Sequence, residues 1–262
     1  MSITSKIEET LTDFSGISLE EVQRASLMRR KDSKYVFGFN HVPQLLEEIS
    51  QHYQILEIEG IRSHNYQTLY YDTPGLDMYH LHHRGLVNRH KIRFRKYGSS
   101  EAVFLEVKKK DARGVTIKNR IQTRNSEASI LSREEEFLSL YSPYEDEKMM
   151  PVLENSFNRI TLVNPEQTER ITMDYQLWFS SQVSDESLEI PGVSIAEIKF
   201  SHHLSGSVFH KALRRTQIIP RRFSKYCIGM AMLNPELKQN LFKEKVRRVY
   251  KINNQYLQSI KN

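Results

Sequence analysis

The chain has 262 residues, of which 39% are hydrophobic and 27% charged, a balance typical of a globular protein and unlike that of a disordered chain. Its 38 Lys and Arg against 32 Asp and Glu give a net charge of +6, which favours an anionic partner: nucleic acid, a nucleotide, an anionic membrane or polyphosphate. The single cysteine, Cys227, excludes an intrachain disulfide, disfavours a cysteine-based zinc site and fits a reducing compartment.

No apolar run reaches the roughly 18 residues of a transmembrane helix, and the N-terminal residues lack the apolar core of a signal peptide. We therefore expect a cytoplasmic protein. No repeat, low-complexity stretch or linker divides the chain, so we predict one domain over residues 1–262. In chain order, the first predicted elements are a helix over about 1–25 and a helix over 41–53 with Pro43 in its first turn. Strands follow over 89–97, 102–110 and 115–122, and then a helix with a capping box at Ser132 and Glu135. The last predicted elements are strands over 170–179 and 193–201, a helix over 207–216 and a C-terminal helix over about 235–262.

The predicted strands share one pattern, an apolar face and a face dense in cations. Residues 89–97 alternate Arg89, Lys91, Arg93 and Arg95 with His90, Ile92 and Phe94, which is the period of two that a strand requires. The other strands place cations and carboxylates together on one face in the same way. These residues are Glu106, Lys108, Lys110, Lys118, Arg120, Arg170, Asp174, Glu197 and Lys199.

A solvated outer sheet face would explain any one of these strands. A line of like charges along several strands is repulsive, however, unless an anion lies against it. A barrel that encloses the polar faces would provide such a site and would also remove the unpaired sheet edges. We therefore predict an α+β fold, in which a closed antiparallel β-barrel forms a tunnel with a polar lumen and is surrounded by helices.

Short motifs follow one another in a consistent order from about Arg29 to Met230. They are Arg29-Arg30-Lys31-Asp32-Ser33-Lys34-Tyr35, Leu69-Tyr70-Tyr71-Asp72, Leu76-Asp77-Met78-Tyr79, Arg93-Phe94-Arg95, Phe104-Leu105-Glu106-Val107-Lys108, Lys118-Asn119-Arg120, Phe157-Asn158-Arg159, Arg170-Ile171-Thr172-Met173-Asp174, Ala196-Glu197-Ile198-Lys199 and Phe223-Ser224-Lys225-Tyr226. Together they resemble the catalytic (VTC) domain of the vacuolar transporter chaperone complex, the eukaryotic polyphosphate polymerase, which belongs to the triphosphate tunnel metalloenzymes.

The resemblance implies a metal-dependent enzyme that transfers the γ-phosphate of ATP to a growing polyphosphate chain. It implies that Glu197 binds a divalent metal, Mn²⁺ or Mg²⁺. The catalytic residues that it implies are Lys34, Arg93, Arg95, Lys108 and Lys118, and the phosphate-binding residues are Arg120, Arg159, Arg170, Lys199, Ser224 and Lys225. Lys and Arg suit this task, because cations on alternate strand residues lie roughly 7 Å apart along one face and a phosphate chain could thread past them.

The chain departs from the family pattern at two positions. Phe157 stands where the eukaryotic enzyme has a phosphate-contacting tyrosine, and His82 stands where it has an arginine, with Arg84 close by. The alternatives are a hydrolase of triphosphate or polyphosphate and a non-catalytic polyphosphate-binding module. The chain lacks the Glu-x-Glu-x-Lys opening that is usual in tunnel hydrolases, which favours the polymerase. No aromatic platform for stacking bases is evident, so nucleic acid is not an expected partner.

Several charged residues have simpler interpretations. Glu106 and Asp174 are interpreted as structural ion-pair partners, and the histidines at 80, 82, 83 and 90 as residues of a surface turn rather than a metal site. The basic stretch of the C-terminal helix is interpreted as a solvated face, with an acidic partner or a membrane surface as the alternative. That stretch comprises Lys243, Lys245, Arg247, Arg248 and Lys251.

Overall fold

A computed structural model of the chain describes residues 2–24, 31–98, 102–123, 129–144, 149–201 and 203–261; Arg29 and Arg30 of the first motif lie outside these ranges. The helices are α1 (Ile3–Leu11), α2 (Leu19–Arg24), α3 (Val42–Ile49), α4 (Asp77–His83), α5 (Ser132–Tyr141), α6 (Val208–Arg215), α7 (Lys225–Leu233) and α8 (Lys243–Ser259). The strands are β1 (Ser15–Ile17), β2 (Lys31–Gly38), β3 (Gln54–Leu56), β4 (His64–Asp72), β5 (Arg89–Tyr97), β6 (Val103–Lys110), β7 (Thr116–Gln122), β8 (Met150–Val163), β9 (Glu169–Ser181), β10 (Ser187–Ile190) and β11 (Val193–Phe200). The chain is therefore α+β, as predicted.

All of these strands belong to one sheet, whose main path runs β2–β11–β9–β8–β4–β5–β6–β7 with antiparallel neighbours. Within the described ranges, β2 and β7 end this path and no strand pairing joins them, so the predicted closure of the barrel is not confirmed. Among the described residues, the edge of β2 that pairs with no strand is contacted by Arg221 and by α8 instead. The backbone N–H of Arg221 donates to the carbonyl oxygen of Lys34 at 2.6 Å, and α8 packs against β2.

The apolar faces of the strands pack under helices, as the alternation predicted. One core cluster joins Phe37, Ile171 and Ala196 of the sheet to Leu45 of α3 and Leu213 of α6. A second cluster joins the apolar residues of β5 and β6 to α4, α5, α7 and α8. The side of β2, β9 and β11 that carries the cations faces away from α3 and α6.

The helix boundaries differ from the prediction at several places. The described part of the predicted N-terminal helix, residues 2–24, forms two helices instead of one, because Ile17 of β1 pairs with Leu56 of β3 and interrupts the helical segment. Within the predicted helix over 41–53, the α-helix ends at Ile49 and a 3-10 turn follows it. The C-terminal helix, predicted from about residue 235, begins only at Lys243. The capping box at Ser132 is wrong, since Leu131 occupies the N-cap position and makes no side-chain capping bond.

Other local signals are confirmed. The side chain of Ser207 caps α6 by accepting from the His210 backbone N–H at 3.0 Å, and Pro43 lies in the first turn of α3. The predicted strand over 89–97 coincides with β5. Across the ranges that the structure describes, no helix combines the length and the apolar character that are needed to cross a membrane.

The turn between β10 and β11 holds α8 in place through Gly192. Its N–H donates to Asn253 Oδ1 at 2.9 Å, and a Cβ at this position would lie 2.5 Å from Tyr256 Cβ and 3.0 Å from Asn253 Cα. We expect Gly192→Ala to lower the free energy of unfolding by about 1–3 kcal/mol, because backbone and core would have to shift. Gly206→Ala is the control, since nothing lies within 4 Å of its added Cβ. Equal denaturant midpoints for the two variants would contradict this packing.

Candidate functional site

The face of the sheet that points away from α3 and α6 gathers the predicted site residues from both halves of the strand path. Glu197 lies beside Lys34 on the neighbouring strand, and Lys108 lies between Lys91 and Lys118. The Lys108 amine is also close enough to Glu197 and Lys34 to respond to their charges, although β6 and β11 are far apart in the path. The sheet is therefore curled, with its polar side on the concave surface.

We call this surface the cationic face. Its members alternate with the apolar core residues along each strand, or lie at the start of α7. Its cations are Lys34, Lys91, Arg93, Arg95, Lys108, Lys118, Arg159, Arg170, Lys199 and Lys225, and its carboxylates are Glu106, Asp174, Glu197 and, exposed at the end of β2 opposite Lys199, Asp32. The cations thus clearly outnumber the carboxylates.

Glu106 organises the β5–β7 part of the cationic face. Its side chain is 1% exposed and accepts from Arg93 Nε at 2.8 Å, from the Tyr97 hydroxyl at 3.0 Å and from the Lys118 amine. Arg95 approaches the same carboxylate at 3.9 Å and donates to Thr68 Oγ1 at 3.2 Å. Burial alone would raise the pKa of Glu106, but the charges of Arg93, Arg95 and Lys118 hold it well below its usual range. Glu106 is thus a charged structural partner, as expected.

Asp174 on β9 is likewise a buried ion-pair partner of two cations. Arg159 grips its carboxylate with two hydrogen bonds, Nε to Oδ1 at 2.6 Å and Nη2 to Oδ2 at 2.8 Å, and the Lys225 amine donates to Oδ2. Burial would raise the pKa of Asp174, but Arg159 and Lys225 lower it to about 2. The bidentate geometry fixes the Arg159 guanidinium, whose carbon lies 4.7 Å from the centre of the Tyr66 ring and 5.2 Å from that of Phe157.

Glu197 is the most exposed of the three carboxylates Glu106, Asp174 and Glu197. Its side chain is 18% exposed, against 1% for Glu106 and 4% for Asp174. It accepts from the Lys34 amine, and the Lys199 amine lies 4.0 Å away. Burial would raise the pKa of Glu197, but Lys199 and Lys34 hold it well below its usual range, so the carboxylate is charged at neutral pH. It therefore differs from Glu106 and Asp174 in being partly accessible from the concave surface.

The start of α7 closes one side of the cationic face. Ser224 caps this helix by accepting from the Cys227 N–H at 3.3 Å, and its hydroxyl also accepts from the Lys91 amine at 2.7 Å. The next residues are held as well: the Tyr226 hydroxyl donates to the buried carboxylate of Asp72. The helix thus presents Ser224, Lys225 and its positive dipole end to the concave surface.

The structure brings the predicted site residues together, with Arg120 at the margin. The Arg120 side chain lies on exposed β7 with its guanidinium carbon 5.1 Å from the Phe104 ring centre. Lys91 was not among the predicted site residues, yet it joins the face beside Ser224. Its place in the alternating line Arg89, Lys91, Arg93 and Arg95 was the signal for it. Tyr70, whose hydroxyl accepts from Arg93 at 3.4 Å, had no comparable signal.

The histidines do not form the surface turn that was predicted. His80, His82 and His83 lie on α4, where His83 is buried and accepts from the Leu241 backbone N–H at 3.1 Å, and His90 is buried on β5. Burial and the nearby charges of Lys91 and Arg89 lower the pKa of His82 to about 2, so its imidazole carries no charge at neutral pH. Arg84 is exposed.

No group of three or more His, Cys, Asp or Glu side chains in the described residues could hold a metal ion alone. Glu106 pairs with three cations and Asp174 with two, and both are almost fully buried, whereas Glu197 is partly exposed although it lies beside Lys34 and Lys199. A single carboxylate suits Mg²⁺ or Mn²⁺ when phosphate oxygens and waters complete the coordination. The donor set therefore fits a metal that arrives with a phosphate ligand.

Four lysines of the cationic face have unusually low pKa values. Burial, the largest cause, and nearby cations together lower the pKa to about 8 for Lys91, Lys108, Lys118 and Lys199. The cations include Arg93 for the first three lysines and Arg170 for Lys199. Charged amines so placed repel one another, and they would be stabilised by a bound anion.

Affinity for tripolyphosphate is accordingly expected to fall as the pH rises from 7 to 9. Below pH 8 these amines are already protonated. Above pH 8 they must take up protons when the anion binds, so the affinity falls by about tenfold between pH 7 and pH 9 for each lysine concerned. Lys108→Arg should show a shallower decline than the wild type, because the guanidinium keeps its proton, and titration of the ligand itself cancels in this comparison. Calorimetric titrations at constant ionic strength measure the slopes; parallel slopes would contradict the assignment of Lys108.

Comparison with known proteins places most of the chain in one family model. The VTC domain model matches residues 29–234. No curated protein matches the sequence. Among solved structures, the PH1819 protein of Pyrococcus horikoshii OT3 is 15% identical with a TM-score of 0.44, covering 77% of this chain and 99% of that one. HpAC1 from Hippeastrum, which has a dominant triphosphatase activity, is 14% identical with a TM-score of 0.46, covering 80% of this chain and 100% of that one. At this level the two likenesses carry no conclusion about the activity of this chain.

Proposed function

The chain belongs to the VTC domain family, and on that premise we propose that it is a polyphosphate polymerase, which transfers the γ-phosphate of ATP to the end of an inorganic polyphosphate chain. The observation that carries this proposal is the excess of cations on the concave face. Arg93, Lys108 and Lys199 come from both halves of the sheet and converge on one space. A polyanion is the partner that neutralises such a surface.

In this proposal the curled sheet is the wall of a tunnel along which the phosphate chain lies. The arginines that Glu106 and Asp174 hold in place present planar donors to phosphate oxygens, while Lys91 and Lys108 act as mobile point charges. The carboxylates thereby orient the cations before the ligand arrives. This reduces the conformational entropy that binding would otherwise cost.

The reaction needs positioning and charge neutralisation more than covalent help from the protein. A terminal oxygen of the polyphosphate attacks the γ-phosphorus of ATP, the bond from that phosphorus to the bridging oxygen breaks, and ADP leaves with the electron pair. The acceptor is already an anion, so the protein does not have to remove a proton. Glu197 would hold Mn²⁺ or Mg²⁺ together with phosphate oxygens, and the metal supplies a Lewis acid.

The products of ATP test the proposal. Purified protein is incubated with ATP and Mn²⁺ or Mg²⁺, and the products are separated on a gel stained for polyphosphate while ADP and orthophosphate are measured. We expect a polymer ladder, with one ADP formed for each phosphate incorporated. Orthophosphate without polymer would show that the protein is a hydrolase and not a polymerase. Neither product, with tripolyphosphate binding retained, would leave a non-catalytic binding module.

A further inference from the structure

A cavity of about 470 Å³ lies at the free edge of β2, and none of its lining residues belongs to the cationic face. Three segments form its walls: residues 36–41 of β2 and the following turn, residues 217–221 between α6 and α7, and residues 248–259 of α8. Its volume is in the range of small-molecule sites in proteins. The cavity is therefore a separate space that a ligand could fill.

Two arginines from different segments, Arg221 and Arg248, line this cavity. Arg221 Nε is buried and has no hydrogen-bond partner among the residues that the structure describes. Arg248 pairs with Glu244 one turn earlier in α8, but at 3.6 Å and with a carboxylate that is 80% exposed. Such a solvated pair is weak, so the guanidinium is available to another anion. A buried donor without a partner is costly, and an oxyanion would satisfy it.

The rest of the lining is apolar or uncharged. Val36, Ile218, Ile219 and Ile252 provide aliphatic surface, and Tyr256 provides an aromatic ring. The uncharged polar lining residues are Asn40, Gln217, Gln255 and Ser259. His41 also lines the cavity, and burial lowers its pKa, so its imidazole is neutral at pH 7. Such a mixture of apolar walls and a few polar groups is typical of sites for organic ligands.

The walls are anchored to the sheet before any ligand binds. The Arg221 backbone N–H donates to the Lys34 carbonyl oxygen at 2.6 Å, and Asn253 of α8 accepts from the Gly192 N–H at 2.9 Å. Because both arginine-bearing segments are fixed in this way, little ordering is needed on binding.

We propose that this cavity is a second binding site, which takes a small organic anion with one carboxylate, sulfonate or phosphate group on an apolar or aromatic body. The anionic group binds Arg221 and Arg248, and the apolar body lies against Ile218 and Ile252. The site does not depend on the polymerase reaction, since it shares no residue with the cationic face.

The probe for this site is 8-anilinonaphthalene-1-sulfonate, whose fluorescence rises in an apolar site. The titration is made with saturating tripolyphosphate, so that the cationic face is already occupied. The double variant Arg221→Gln/Arg248→Gln is compared with Arg222→Gln/Arg247→Gln, which removes the same charge from neighbouring exposed residues that do not line the cavity. A second pair is Gln255→Trp, which fills the cavity from an exposed position, and Gln258→Trp, which lies outside its lining.

We expect one probe site in the wild type and in both controls, with at least a tenfold weaker affinity in the double variant and in Gln255→Trp. Melting curves establish that the variants are folded; if the double variant is not folded, the tryptophan pair alone decides. Equal affinities within each pair, or displacement of the probe by tripolyphosphate, would overturn the proposal.

Discussion

Glu197→Gln is expected to lower metal-dependent turnover of ATP by at least about a hundredfold while leaving metal-free binding of tripolyphosphate intact. The amide keeps the size of the side chain but loses the charge that a hard cation requires. It also frees Lys34 and Lys199 from their shared carboxylate, so the affinity for an anion without metal should stay the same or increase.

Two measurements separate this result from simple loss of folding. Steady-state rates of ADP formation are followed with Mn²⁺ and Mg²⁺, and tripolyphosphate affinity is measured by calorimetry with a chelator present. Glu189→Gln is the control, since Glu189 is an exposed residue of β10. Turnover that survives in Glu197→Gln would show that this carboxylate does not hold the metal.

Glu106→Gln should destabilise the protein by about 3–5 kcal/mol in the absence of ligand. The carboxylate is almost fully buried, and its loss leaves Arg93, Arg95 and Lys118 close together with no anion between them. An exposed control on α5, Glu136→Gln, should change stability by less than about 0.5 kcal/mol.

Tripolyphosphate should narrow the difference in stability between Glu106→Gln and the wild type. Any ligand that binds the folded state stabilises it, by about 2.7 kcal/mol at a hundred times its Kd. The variant should gain more than the wild type, because the bound anion takes over the neutralisation of the three cations. Denaturant curves with and without ligand measure both gains. A gain in the variant no larger than that of the wild type would contradict the placement of the phosphate chain beside Glu106.

The alternation of charge and apolar residues was enough to predict much of the fold. In β5, the charges at Arg93 and Arg95 and the apolar side chains at Ile92 and Phe94 lie on opposite faces, because the period of two is a property of the extended backbone. Helix ends were less predictable. Ser132 has a good capping pattern in sequence, yet the helix begins there and uses Leu131 as its cap.

The pairing of charges within the site could not be predicted from sequence. Nothing local says that Asp174 binds Arg159 twice and also holds Lys225, which is 51 residues away. Such contacts depend on strand register and on the way the sheet curls. The neighbour of the β2 edge could not be predicted from sequence either. Cationic strands favoured a closed barrel, but a single backbone bond from Arg221 occupies part of that edge.

Lys108 and Lys109 offer the most direct test that the concave face binds the phosphate chain. They are neighbours on β6 with the same charge, but they point to opposite sides of the sheet. Calorimetric titration of Lys108→Gln and Lys109→Gln with tripolyphosphate at pH 7 measures what each side contributes. We predict at least a tenfold loss of affinity for Lys108→Gln and almost no change for Lys109→Gln. Equal affinities for the two variants would contradict the cationic face as the binding site.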